Sequence, residues 1–153
     1  MKFKKGFTLA ECIAYIFIFQ MTIIATASIT MKLYYTYDYV TDKSILNNAM
    51  DNAFFIVRKN VNDNDVTKIK YHKDKITLYL CSEDKSFFIK EIKMKDSYLY
   101  IYYYESYDGE SIGRFLSANQ ILYNIKEVKF IKNNNIIYMK IVTNNNEEYV
   151  ECV

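Results

Sequence analysis

Few side chains in this sequence have the type and spacing to do chemistry, and the densest group lies at its start: Lys4-Lys5-Gly6-Phe7-Thr8-Leu9-Ala10-Glu11. Three lysines precede Gly6, and Glu11 is the last charge before residues 12–31, which carry none. A carboxylate drawn deep into lipid costs roughly 2.5–3.5 kcal/mol, and less near the interface, so Glu11 calls for a partner. Elsewhere the candidates are thin. His72 is the only histidine, lies in a turn and has no visible partner for a catalytic dyad. Asn62-Asp63-Asn64-Asp65 offers oxygens for calcium but lacks the glycine and the distal glutamate of an EF-hand loop; it reads as a helix-ending turn. One histidine and three scattered cysteines make no zinc cluster, and three glycines make no phosphate loop. No enzyme, cofactor or metal site is expected. Cys12 lies in the apolar run, so Cys81 and Cys152 are the only pair able to bridge outside a membrane. A bridge would close a loop of about seventy residues and add about 4 kcal/mol in the chain-entropy picture; the alternative is two free thiols.

The elements that carry these residues follow from periodicity. Twenty uncharged residues in a helix span about 30 Å, the thickness of a hydrocarbon core, and the lysine cluster holds the start of the chain on the cytoplasmic side. The expected topology is single-pass, N-in and C-out. The chain has no proline, and no glycine between Gly6 and Gly109, so nothing breaks the helix after residue 31. Leu33, Tyr37, Val40, Ile45, Ala49, Ala53 and Ile56 then recur mostly at three- and four-residue steps. This predicts one helix running to about residue 60, membrane-spanning over 7–31 and amphipathic over 32–60.

Beyond residue 61 the pattern turns to short β-rich segments, 66–71, 75–81, 87–92, 98–104, 127–131, 136–143 and 148–152, separated by polar turns. Such tight connections allow only antiparallel pairing. The expectation is an α+β fold in which the helix covers one face of an antiparallel β-meander sheet over residues 61–153, with 106–124 as its longest loop. The 153 residues carry twenty Lys+Arg against eighteen Asp+Glu. Removing residues 1–6 leaves seventeen against eighteen, a net charge of −1, which argues against wholesale electrostatic capture of nucleic acid.

The stretch Lys-Lys-Gly-Phe-Thr-Leu-Ala-Glu followed by an apolar run resembles the class III signal of type IV prepilins and pseudopilins. The resemblance implies cleavage between Gly6 and Phe7 by a prepilin peptidase, N-methylation of Phe7, and assembly into a filament whose core is the N-terminal helices. Glu11 would then pair with the new N-terminal ammonium of a neighbouring subunit. Residues 1–6 would be a cleaved leader and residues 61–153 an outward-facing domain. Ala10, Cys12 and Tyr15 stand where major pilins usually carry aliphatics, and the usual mid-helix proline and glycine are absent, so the likeness is to minor pilins or competence-type minor pseudopilins. The implied partners are other subunits of the filament, the peptidase and the membrane.

Two other readings compete. Ala25-Thr26-Ala27 is a small-x-small site behind an apolar segment, as in a secretory signal peptide, and a plain uncleaved anchor also accounts for the span. Either would give a surface binding protein with an extracellular β domain. The tyrosines between 98 and 107, with Lys90, Lys93, Lys95 and Lys129, could serve single-stranded DNA by stacking and phosphate contact, although sheet packing by β-favouring aromatics accounts for the same residues.

Overall fold

A computed structural model describes residues 8–134 and 136–153. Gly6 and Phe7 lie outside the described residues. The order is α1 (Leu9–Val61), β1 (Val66–Tyr71), β2 (Lys75–Cys81), β3 (Phe87–Lys95), β4 (Tyr98–Ser106), β5 (Phe115–Tyr123), β6 (Ile125–Asn133), β7 (Ile136–Thr143) and β8 (Glu148–Cys152). The fold is α+β as expected, and the helix is continuous over 53 residues. Contacts divide the chain into two compact units, Met1–Leu46 and Asn47–Val153. The last fifteen helical residues thus belong to the same unit as the strands.

All strand pairing is antiparallel, but the single meander sheet expected from the sequence is two sheets: β1-β2-β3-β4-β5 and β6-β7-β8. The break falls at Asn124, the one residue between β5 and β6, whose φ of 62° turns the chain sharply. Two main-chain hydrogen bonds tie the second sheet to hairpin turns of the first. Phe130 N–H donates to Lys73 O (2.9 Å), and Ile125 N–H donates to Ser97 O (3.1 Å). The second of these turns, Asp96-Ser97, has positive φ at both residues (51° and 67°), the conformation that matches strand twist in a two-residue hairpin.

The expected loop at 106–124 is also corrected, because residues 115–123 form β5, paired with β4 from Tyr104↔Phe115 to Tyr98↔Tyr123. Only residues 107–114 remain as loop. β5 lacks an alternating pattern because its first six residues are all exposed, so no core selects their types.

The helical stripe is narrower than its periodicity suggests. Leu33, Tyr37, Val40 and Ile45 are exposed, and the buried helical residues are Met50, Ala53, Phe54, Val57 and Val61. Fifteen helical residues span about 22 Å, close to the length of a seven-residue strand, so the sheet offers cover to the last four turns only. Those turns share the core with Ile76, Leu78, Ile92, Leu99 and Ile101 of the first sheet and Ile137, Met139 and Ile141 of the second, all 5 % exposed or less.

Phe54 is 2 % exposed and its neighbour Phe55 is 60 % exposed. Phe54→Ala is expected to cost about 3–5 kcal/mol in denaturant unfolding, whereas Phe55→Ala should change stability by about 0.5 kcal/mol or less. Equal costs would mean that the buried stripe has been misplaced.

Candidate functional site

At the start of the described chain, Thr8 caps α1 and Glu11 closes the cap. Thr8 N–H donates to Glu11 Oε2 at 2.7 Å, the Thr8 hydroxyl donates to the same oxygen at 2.9 Å, and Glu11 N–H donates to Thr8 Oγ1 at 3.3 Å. This is a capping box, in which a threonine and a glutamate three residues on satisfy each other's exposed backbone donors. It supplies Glu11 with a partner inside its own chain, so an ordinary anchor no longer leaves the carboxylate unexplained. Sequence reasoning missed it although the Thr-x-x-Glu spacing was in view.

The rest of the apolar run is exposed along its length, and the helix is long and apolar enough to cross a membrane. Its hydroxyls are not left to solvent. Thr22, Thr26, Ser28 and Thr30 each donate to a main-chain carbonyl one turn back, at 2.8–2.9 Å. A threonine or serine bonded this way can face hydrocarbon without an unsatisfied donor.

The second group of residues lies on the first sheet. Register places Thr77 of β2, Glu91 of β3 and Tyr102 of β4 side by side. Around them Tyr98, Tyr100, Tyr102, Tyr104 and Phe115 form a ladder of rings with centroids 5.5–6.5 Å apart. Glu91, 2 % exposed, accepts from Lys75 Nζ (2.8 Å) and Lys93 Nζ (2.7 Å), and the Lys93 ammonium stands 4.7 Å from the Tyr102 ring centroid. Burial pushes the Glu91 carboxyl up, but the two lysines more than offset it and hold it below the usual range. Residue spacing alone does not reveal this cluster, since Lys75 and Glu91 meet only through strand register.

This arrangement bears on the DNA reading. The rings of the ladder pack on one another. Lys90, Lys93 and Lys129 are engaged with Asp63, Glu91 and Glu127. Tyr98, Tyr100, Tyr102, Tyr104 and Lys93 build the outward face of the first sheet, whereas Lys90 binds the helix end and Lys129 lies on the second sheet.

The loop 107–114 folds back over the same face. The Asp108 carboxylate accepts from Ser111 N–H (2.7 Å), Glu110 N–H (2.9 Å) and the hydroxyls of Ser106 and Ser111, and these bonds hold it far below the ordinary carboxylate range. Glu110 reaches Lys68 of β1 at 3.2 Å. Gly109, at φ 74°, sits so close to Phe87 that a Cβ there would lie 2.9 Å from the ring. The loop is therefore built as a fixed cover.

At the C-terminal end of α1, Lys90 Nζ of β3 donates to Asn60 Oδ1 and Asp63 Oδ2, both at 3.1 Å, so the helix-ending turn binds a lysine. An open cleft of about 570 Å³ lies beside this pair, bordered by Ile56, Lys59, Asn62 and Tyr103. Arg58 reaches the other sheet, donating to Glu151 Oε2 (2.8 Å) and Cys152 O (3.0 Å). The candidate bridge between Cys81 and Cys152 is not formed: both are free thiols, as is Cys12. Cys81 ends a strand of the first sheet and Cys152 ends a strand of the second, and no ladder joins those strands. His72 is exposed in its turn, and among the described residues no cluster of His, Cys, Asp and Glu could hold a metal ion.

The four sheet edges differ in charge. β1 carries Lys68 and Lys70, β6 carries Lys126, Glu127, Lys129 and Lys132, and β8 carries Glu148 and Glu151. β5, Phe-Leu-Ser-Ala-Asn-Gln-Ile-Leu-Tyr, carries none. Charges on edge strands deter pairing with other chains, so β5 is the edge without that protection, although two bulges against β4 interrupt its regularity.

Together these elements define an α+β protein with one N-terminal helix long and apolar enough to cross a membrane. No family model, no curated protein and no solved structure matches the chain.

Glu91 makes its stability contribution as a carboxylate, because its folded pKa lies below the unfolded value. That contribution is present above about pH 4.5 and is lost as pH falls through the folded pKa. Lys75 and Lys93 stay about one-third exposed, so Glu91→Gln is expected to cost a screened amount of about 1–3 kcal/mol at pH 7. The difference from the parent chain should shrink as pH falls below 4 in unfolding titrations, and a pH-independent difference would rule this origin out.

Proposed function

We propose that this chain is a minor pilin-like subunit of a type IV pilus, competence or type II secretion-like filament. In this reading a prepilin peptidase cuts between Gly6 and Phe7, Phe7 is N-methylated, and the helix anchors the subunit N-in and C-out before it enters a filament. The role is structural. One observation carries the reading: Lys-Lys-Gly-Phe-Thr-Leu-Ala-Glu leads directly into a helix that is uncharged and exposed over residues 12–31 and continues without a break to Val61. The open edge of β5 supports it, as a surface through which the β domain could meet a neighbouring subunit.

The second reading is a single-pass or secreted surface protein whose β domain binds a ligand. The Thr8–Glu11 capping box favours it, because a local bond then accounts for Glu11 without any neighbour.

Mass determination of the mature chain separates them. A chain beginning at Phe7 with one added methyl group is the expected result; an intact Met1, or a start at Ser28, would discard the pilin reading.

The role of Glu11 is tested with two substitutions, since glutamine can close a capping box but cannot pair with an ammonium. Glu11→Gln and Glu11→Ala should both leave membrane insertion intact and both reduce recovery in sheared filaments. If Glu11→Gln matches the parent and only Glu11→Ala fails, the carboxylate acts as a cap and the pairing role is withdrawn.

A further inference from the structure

Immediately past the uncharged run, the helix carries Lys32 and then four tyrosines in six positions: Tyr34, Tyr35, Tyr37 and Tyr39. All four are exposed, by 67 %, 71 %, 73 % and 64 %. At about 100° per residue they point in four directions and cover more than half of the helix circumference. A helix that packs on one neighbour needs an apolar stripe instead. What suits a girdle of amphipathic rings is a surrounding medium that changes from apolar to polar along the helix axis.

Distances along the axis agree. If residues 12–31 fill a hydrocarbon core of about 30 Å, the Cα atoms of Tyr34 to Tyr39 lie about 4–12 Å beyond its edge. Helical side chains lean towards the N-terminus, which brings these rings back into the headgroup layer. Lys32, one residue past the run, stands at the level of lipid phosphates.

We propose that Tyr34, Tyr35, Tyr37 and Tyr39 form a belt that binds the outer headgroup layer of a lipid bilayer and fixes the depth at which the helix stands. The proposal rests on the membrane-spanning part of the functional reading above. In that reading the belt also opposes withdrawal of the subunit into a filament, so it sets a barrier to extraction.

The chain contains no tryptophan, so one substitution makes a clean fluorescent reporter. The full chain carrying Tyr35→Trp, and separately Phe19→Trp, would be placed in phosphatidylcholine vesicles containing lipids brominated at shallow or deep acyl positions. The Tyr35→Trp chain should shift its emission to shorter wavelength and be quenched more strongly by shallow bromines; Phe19→Trp should be quenched more strongly by deep ones. Replacing all four tyrosines by serine in the Phe19→Trp chain should broaden its quenching profile across depths. A water-like emission from Tyr35→Trp, with Phe19→Trp still deeply quenched, would overturn the belt and leave the span intact. A blue-shifted Tyr35→Trp chain that no brominated lipid quenches would place that residue against protein and also overturn it. Absence of lipid quenching in both chains would remove the membrane reading itself, and an unchanged profile in the serine variant would remove the depth-setting role.

Discussion

Everything in the β-rich unit depends on the last four turns of α1. The two sheets share no strand ladder; two main-chain hydrogen bonds join them directly, and the helix end bonds to a strand of each. Met50, Ala53, Phe54, Val57 and Val61 supply its apolar seam. Polar anchors flank that seam on either side: Lys90 of β3 grips the helix end through Asn60 and Asp63, while Arg58 grips β8 through Glu151 and the Cys152 carbonyl. The hydrophobic seam provides most of the free energy, because apolar burial is worth more than partly exposed ion pairs. The anchors set its register. A helix slipped by one residue would turn Phe54 away from the core and break both polar contacts at once.

Much of this was legible because burial imposes a period. β1, β2, β7 and β8 fall where alternating or β-branched runs place them, and the helix could be followed past residue 50 because neither proline nor glycine interrupts it. The failures have a common physical cause. The exposed half of β5 packs against no core, so Ser117, Ala118, Asn119 and Gln120 carry no alternation to detect. The outer half of α1 carries apolar residues that stay exposed, so its period merges with that of the stripe that folds. The split into two sheets turns on one left-handed residue, Asn124, which a strand-by-strand reading passes over. Glu11 finds its partner in Thr8, three residues away; a carboxylate that needs a partner in lipid does not need a distant one.

The outward face of the first sheet shows how a polar cluster can serve structure. Tyrosines at alternate positions of β4 fill the space above the sheet with ring on ring, and they screen Glu91 from water so that its lysines can hold it charged. The loop centred on Asp108 closes the end of the same layer. Sequence alone left this face open to a binding role, since aromatic and cationic residues serve either purpose; the rings pack on one another and Lys93 is paired with Glu91, which accounts for the structural role of the face.

The uncharged edge of β5 carries a consequence for the behaviour of the isolated domain. Strand edges are where folded proteins join into polymers, and a charged residue there acts as a brake that works at every concentration. Without one, β5 relies on its two bulges against β4, which twist an edge away from a straight partner, and beyond them on dilution or a neighbour already in place.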